Sequence, residues 1–318
     1  MAKRDLPLAV APAIMISGGL SGNPIMIVVT LAHPVRLASS VLASARAALM
    51  TAGARMDGGW LDEGAAIRLT VSGIGAEDAR AVLARFEKLA DVIVHIDPGK
   101  PFRLFVADMD STMVACECLD ELADYAGFKS QVAAITERAM RGELDFAAAL
   151  IERVALLKGL PEATIAECLA ERVRPNPGAR TLIATLQAHG IRTMLVSGGF
   201  TAFAEPVGDM LGFDRVVANT LDVEDGLLTG TVAPPIVDAA TKRAALIAEA
   251  GARGGAARAI AIGDGANDLA MVEAAGLGLA HRPKPALAAV ADGSIHHGDL
   301  TTVLWTLGIP RARWTVLP

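Results

Sequence analysis

The sequence predicts an α/β protein: a parallel sheet with helices on both faces, preceded by a small α+β sandwich. Three observations carry this. Apolar runs alternate with helical stretches between residues 104 and 262, as expected of parallel strands joined by crossover helices. Three of these runs end abruptly in polar clusters: Asp108-Met109-Asp110-Ser111-Thr112, Ser197-Gly198-Gly199 and Gly263-Asp264-Gly265-Ala266-Asn267-Asp268. Before residue 97 the order instead reads strand, helix, strand, strand, helix, strand, a split-βαβ pattern.

Composition narrows the function classes. With 53% apolar and 20% charged residues the chain can bury a core, and with only 4% aromatics that core relies on Ala, Val, Leu and Ile. A net charge of -6 offers no large basic surface for nucleic acid. Three cysteines argue against a disulfide framework and fit a reducing compartment, and Cys116 and Cys118 lack the second pair that a zinc set needs. No run reaches the roughly 18 apolar residues of a membrane span. Lys3 and Arg4, apolar residues 6–16 and Ser17-Gly18-Gly19 imitate a secretion signal, but Asp5, Pro7 and Pro12 interrupt it, so a cytoplasmic protein without membrane association is expected.

Taken in order, residues 24–32 form a strand by β-branched content, and Leu37, Val41, Leu42, Ala45 and Leu49 recur at helical spacing until Gly53. Strands at 55–61 and 65–71 flank an Asp62-Glu63-Gly64 hairpin turn, a helix spans 76–89, and a strand spans 92–96. This portion resembles ACT-like (ferredoxin-like) regulatory modules, which bind amino acids or dimerise. An exposed sheet in it would make a homodimer possible. Asp97-Pro98-Gly99-Lys100-Pro101 reads as a linker, giving an N-terminal domain at 1–100 and a main domain at 101–318.

The apolar strand 104–107 opens the main domain. Residues 116–168 are helical, with breaks at Gly127, Gly142 and Gly159-Leu160-Pro161, and 174–178 close that stretch. A helix at 179–189, a strand at 191–196 and another helix follow. A strand at 215–221 leads into a hairpin at Asp225-Gly226, a helix starts near Thr241, and a strand spans 258–262.

In parallel sheets, ligands sit outside the carboxyl ends of the strands, where all three polar clusters fall. Alternation along an extended chain sends Asp108 and Asp110 to one side. Ser197 with its glycines offers a hydroxyl and accessible N–H groups near a helix start, suited to a phosphoryl oxygen. Gly263 and Gly265 would let the backbone pass close to a bound group beside Asp264 and Asp268, and Lys242 supplies a cation. Crowded carboxylates call for a hard cation such as Mg2+. Singly, each cluster has an ordinary explanation: an Asp/Ser turn, a loop, a solvated lysine. Together, on loops of one sheet, they are harder to dismiss.

These motifs match in order those of haloacid-dehalogenase-type phosphatases. Glu117, the run Thr136-Glu137-Arg138-Ala139-Met140-Arg141-Gly142, Phe146, and Arg153-Val154 before Leu156-Leu157-Lys158-Gly159 narrow the resemblance to the phosphoserine phosphatases. The resemblance spans roughly residues 102–300 and implies a Rossmann-like core with a helical cap inserted after its first strand, at about 116–176. It implies Asp108 as nucleophile, Asp110 as general acid and base, and Mg2+ held by Asp108, the Asp110 carbonyl and Asp264, with Asp268 steering the metal's waters. Ser197, Gly198, Lys242 and Asn267 would bind phosphate. Glu117 would meet the substrate ammonium, Arg153 its carboxylate, and Met140 and Phe146 would line the pocket. The expected activity is hydrolysis of phosphoserine, a small-molecule substrate, in serine biosynthesis. A phosphotransferase or a phosphatase for another small ester is the alternative on the same scaffold, and a serine-sensing or assembly protein is the non-enzymatic one. Glu137, Arg138, Arg141, His296 and His297 read as surface or salt-bridge residues.

Overall fold

A computed structural model describes residues 26–140 and 143–316, with only the backbone at Met140. The signal-like stretch near the amino terminus, the Gly142 break, Arg141 and the Met140 side chain therefore lie outside the described residues.

The amino-terminal portion is β1 (Ile27–Ala32), α1 (Ser39–Thr51), β2 (Arg55–Asp62), β3 (Ala66–Ser72), α2 (Ala76–Leu83) and β4 (Asp91–Ile96). Its antiparallel order β2-β3-β1-β4 is that of a split-βαβ sandwich. Helix α2 stops earlier than its apolar pattern suggests, passing into a 3-10 turn at Ala84–Phe86.

The main portion begins with β5 (Leu104–Ala107), followed by α3 (Cys118–Tyr125), α4 (Lys129–Met140), α5 (Phe146–Ala155) and α6 (Ala163–Arg172). Next come α7 (Ala179–Ala188), β6 (Arg192–Phe200), α8 (Thr201–Leu211), β7 (Arg215–Glu224), β8 (Leu227–Ala233), α9 (Ala239–Gly251) and β9 (Ala259–Gly263). The chain closes with α10 (Leu269–Ala274), β10 (Leu277–His281), α11 (Pro285–Ala288), β11 (Gly293–Ile295) and α12 (Thr302–Thr306). Strand β5 is central, paired in parallel with β6 on one side and β9 on the other. Its crossovers therefore leave in opposite directions, which opens a crevice at its carboxyl end. Helices α3 to α6 stand over that end, and the β7–β8 hairpin holds them there: Gly159 N donates to Leu228 O (2.8 Å) and Glu162 N to Gly226 O (3.0 Å).

The two portions share one eleven-stranded sheet, because β11 lies antiparallel beside β4. Asp91, buried in β4, accepts hydrogen bonds from the backbone N–H groups of His296, His297 and Gly298, each at 2.8 Å. Three donors compensate the desolvation of that carboxylate, so the junction is specified rather than merely apolar. Trp305 of α12 donates to Asp62 Oδ2 (2.6 Å) and packs with Ala32, Ala65 and Ala66. Strand β1 is thus buried along its whole length, not left as an open sheet face. His296 is exposed, and His297 is partly covered, meeting Glu87 O through Nε2 (2.8 Å). None of the helices among the described residues is long and apolar enough to cross a membrane.

Candidate active site

Asp108 follows directly on β5, and the sheet buries it to 3% exposure. Its Oδ1 accepts from Met109 N (2.8 Å) and from Lys242 Nζ (2.6 Å), while Oδ2 carries no hydrogen bond among the described residues. Two residues on, Asp110 accepts from Cys118 N through Oδ1 (2.8 Å) and from Ser197 Oγ through Oδ2 (3.3 Å). Between this acid and the insertion, Ser111 takes a left-handed backbone (φ 55°), unusual for a residue with a Cβ. Its hydroxyl donates to Glu117 Oε1 (2.7 Å), so the turn ties the loop that carries Asp108 and Asp110 to the first residue before α3.

Lys242 sits in the first turn of α9, capped by Asp238 through Thr241 N (2.8 Å). Its ammonium is buried between Asp108 and Asp268, reaching Asp268 Oδ1 at 2.8 Å. The other Asp268 oxygen accepts from Asp264 N (3.1 Å) and Gly265 N (3.2 Å). A Cβ on Gly263 would lie 2.3 Å from the Asp268 carboxylate. The group that approaches Gly263 is therefore the chain's own aspartate, whereas the sequence suggested a bound ligand. At Gly265 the neighbours are Asn267 and Lys284.

Ser197-Gly198-Gly199 is not a loop after the strand but a bulge within β6, where pairing with β7 breaks between Val196 and Phe200. The freed groups are satisfied locally: Gly199 N donates to Ser197 Oγ (2.8 Å), and buried Asn219 donates to Gly198 O (2.8 Å) while accepting from Val237 N (2.7 Å).

Above this floor lies a cavity of about 200 Å³. Asp108, Asp110, Gly198, Asp264 and Asn267 line it from the sheet, and Glu117, Phe146 and Arg153 line it from the insertion. Ser197, Lys242 and Asp268 lie beneath it, buried and in hydrogen-bond contact with its acids. All the predicted site residues whose side chains are described thus converge. Ligand oxygens of Asp108, Asp264 and Asp268 come within 4.8 Å of one another, a grouping able to hold a metal ion; Asp110 falls outside this trio of side chains. Both Asp268 oxygens are already engaged, which leaves Asp108 Oδ2 and Asp264 as the available carboxylate donors.

Burial, with Glu117 nearby, pushes Asp110 up to about 6. Burial and the Asp268 charge raise Asp108, with Lys242 opposing. Burial pulls the Lys242 pKa down, but the two carboxylates bonded to it outweigh that and raise it, so the amine stays charged. Burial raises Asp264 against the pull of Lys284.

Sequence reasoning missed Lys284, which follows β10 and pairs with Asp264 at 3.1 Å, and Asn219, which holds the β6 bulge. Neither stands in a polar cluster at a recognised strand end, and β10 itself went unread. Leu119 and Leu150 add apolar wall. Arg138 is ion-paired to Glu152 (2.6 Å), as its surface reading anticipated.

The central parallel strand thus ends in an acid pair, and a buried lysine, a hydroxyl bulge and a third acidic loop join it beneath a helical insertion. Residues 105–273 match the haloacid dehalogenase-like hydrolase family, and the chain belongs to it. It is 51% identical over 210 residues to phosphoserine phosphatase SerB2 of Mycobacterium tuberculosis, covering 66% of this chain and 51% of that protein. Against the phosphoserine phosphatase of Idiomarina loihiensis it is 49% identical over 205 residues, covering 64% and 93%. The chain thus spans about half the length of the first relative and nearly all of the second. Among solved structures, a probable phosphoserine phosphatase from Vibrio cholerae superposes with a TM-score of 0.71 at 32% identity, covering 91% of this chain and 88% of that one.

Proposed function

We propose that the chain is a Mg2+-dependent phosphoserine phosphatase acting through an aspartyl-phosphate on Asp108. The observation that carries the reading is the composition of one cavity: an acid pair and buried lysine at its floor, and an acid, Glu117, facing a cation, Arg153, in its upper wall. Phosphoserine carries the charges that complement both ends.

A carboxylate oxygen of Asp108 bonds to phosphorus as the phosphorus–serine oxygen bond breaks. Asp110, raised to about 6 by burial and Glu117, keeps a proton for the leaving oxygen. Water then attacks phosphorus, the bond to Asp108 breaks, and Asp110 takes the proton back. Ser197 and the N–H of Gly198 bind equatorial phosphoryl oxygens with Asn267, while Lys242 offsets charge on Asp108. Asp108, the Asp110 carbonyl and Asp264 would hold Mg2+, which when bound would offset the repulsion between the Asp108 carboxylate and the phosphate. Asp268, its oxygens occupied by Lys242 and two N–H groups, orients rather than binds. Glu117 receives the ammonium, Arg153 the carboxylate through its planar fork, and Phe146 closes the wall, with Met140 assigned to the same pocket by sequence.

On this reading residues 1–100 form an ACT-like module, 101–318 the phosphatase domain, and about 116–176 its cap, in a cytoplasmic enzyme of serine biosynthesis. The outer edge of β2, terminal in the sheet, supports pairing of two copies. Phosphate release from phosphoserine, phosphothreonine and a sugar phosphate, with Mg2+ and with chelator, tests the assignment. Release should be fastest from phosphoserine and vanish with chelator; preference for the sugar phosphate would favour the other-ester reading.

A further inference from the structure

Two lysines reach the acids at the floor of the catalytic cavity, under opposite constraints. Lys242 is 1% exposed and joined to both Asp108 and Asp268. Withdrawing its ammonium would leave two buried carboxylates unpaired, so it is a fixed part of the site. Lys284 meets one oxygen of one acid, its Nζ lying 3.1 Å from Asp264 Oδ2. That carboxylate is 8% exposed, whereas the lysine side chain is 65% exposed. Its ammonium can therefore exchange Asp264 for water at small cost.

The main chain keeps the contact local. Lys284 N donates to Asp264 O (2.8 Å), which ties the loop after β10 to the loop after β9. Lys284 stands just before α11, where Pro285 occupies the first turn and Leu287 is buried. The base of the side chain is thus anchored while its head is free to change partners. Gly265 leaves the head its room, since a Cβ there would lie 3.4 Å from Nζ. Lys284 also lines the catalytic cavity, and among the described residues no other cation pairs with Asp264.

Asp264 is also the acid that, with Asp108 Oδ2, remains to hold a divalent ion. A dication on Asp264 and an ammonium on the same carboxylate repel each other. One acid therefore has two cationic claimants, of which the lysine carries the smaller charge and has the easier exit.

We propose that Lys284 lowers the affinity of the site for its divalent ion by competing with it for Asp264. The inference rests on the reading of Asp264 as a Mg2+ ligand. Lys284 offsets the charge of Asp264 and yields that carboxylate to an ion of higher charge. Because the ammonium is largely in water, added salt screens the competition.

Isothermal titration of the full chain with MgCl2, after divalent ions are stripped with chelator, tests this. Lys284→Met should tighten Mg2+ binding by about threefold to tenfold. Lys284→Glu should tighten it further, and Lys284→Arg, which keeps the charge, should stay within about twofold of the parent. The ratio between Lys284→Met and the parent should narrow in about 1 M KCl, where charges are screened beyond about 3 Å. A side chain that only packs or orients Asp264 would give neither the order by charge nor the salt dependence. Asp264→Asn, measured alongside, should weaken binding by at least about tenfold. If it does, and Lys284→Met binds Mg2+ no more tightly than the parent, the competition is overturned while the metal assignment stands. If Asp264→Asn binds as the parent does, the metal assignment of Asp264 fails and the inference fails with it.

Discussion

Lys242 Nζ stands 2.6 Å from Asp108 Oδ1 and 2.8 Å from Asp268 Oδ1, with all three side chains buried. One cation thus serves two carboxylates, and Asp264 adds a third acid within 4.8 Å of both. Such a cluster keeps residual negative charge, so it attracts a further cation, and it cannot tolerate loss of the one it has.

Lys242→Met should therefore lower unfolding free energy at pH 7 in chelator by about 3–5 kcal/mol, because two carboxylates are left buried without their partner. Urea denaturation measures it. The deficit should shrink at pH 5, where Asp108, raised by burial, takes up a proton more readily than in the unfolded chain. A deficit below about 1 kcal/mol would show that the pair contributes no net stability.

Asp110 has its folded pKa raised to about 6 from an ordinary 3.8, chiefly by burial. The unfolded chain therefore ionises first as pH rises. The stability associated with the protonated group is complete below about pH 4 and lost as pH passes through 6. Asp110→Asn, which does not titrate, should gain about 2 kcal/mol relative to the parent between pH 4 and pH 7 in chelator, read from paired denaturation curves. A pH-independent difference would mean that Asp110 titrates normally.

Gly263→Ala would place a Cβ 2.3 Å from the Asp268 carboxylate, whose oxygens bind Lys242 and the N–H groups of Asp264 and Gly265. The expected result is a loss of about 2–3 kcal/mol in stability together with turnover reduced at least about a hundredfold. Near-parental turnover would show that Asp268 can move without consequence.

How much of this was legible in sequence follows from where the signals lie. Asp108, Ser197 and Asp264 could be placed because apolar runs stop abruptly at each, and strand ends on one sheet edge converge. The closing strands were not legible: β11 is three residues long, and Leu277–His281 alternates with glycine and alanine rather than β-branched residues. What specifies them is tertiary, namely the Asp91 carboxylate gathering three N–H groups and the Arg80–Asp292 ion pair. The fusion of both portions into one sheet, and Lys284 beside Asp264, depend on those strands and were hidden with them.

Arg153 lines the cavity with its Nε on Ala149 O (3.3 Å) and no carboxylate partner among the described residues. Arg153→Ala should cut kcat/KM for phosphoserine about a hundredfold, while a small phosphate ester without an amino-acid moiety loses under about fivefold. Equal losses on both substrates would remove Arg153 from carboxylate recognition.

The central claim is that Asp108 becomes phosphorylated. Acid quench of the enzyme during turnover of phosphoserine with Mg2+, followed by peptide mass spectrometry, should find one phosphoryl group on the peptide bearing Asp108, and none in Asp108→Asn. A phosphoryl group on another residue, or rapid phosphate release by the Asp108→Asn protein, would contradict the account.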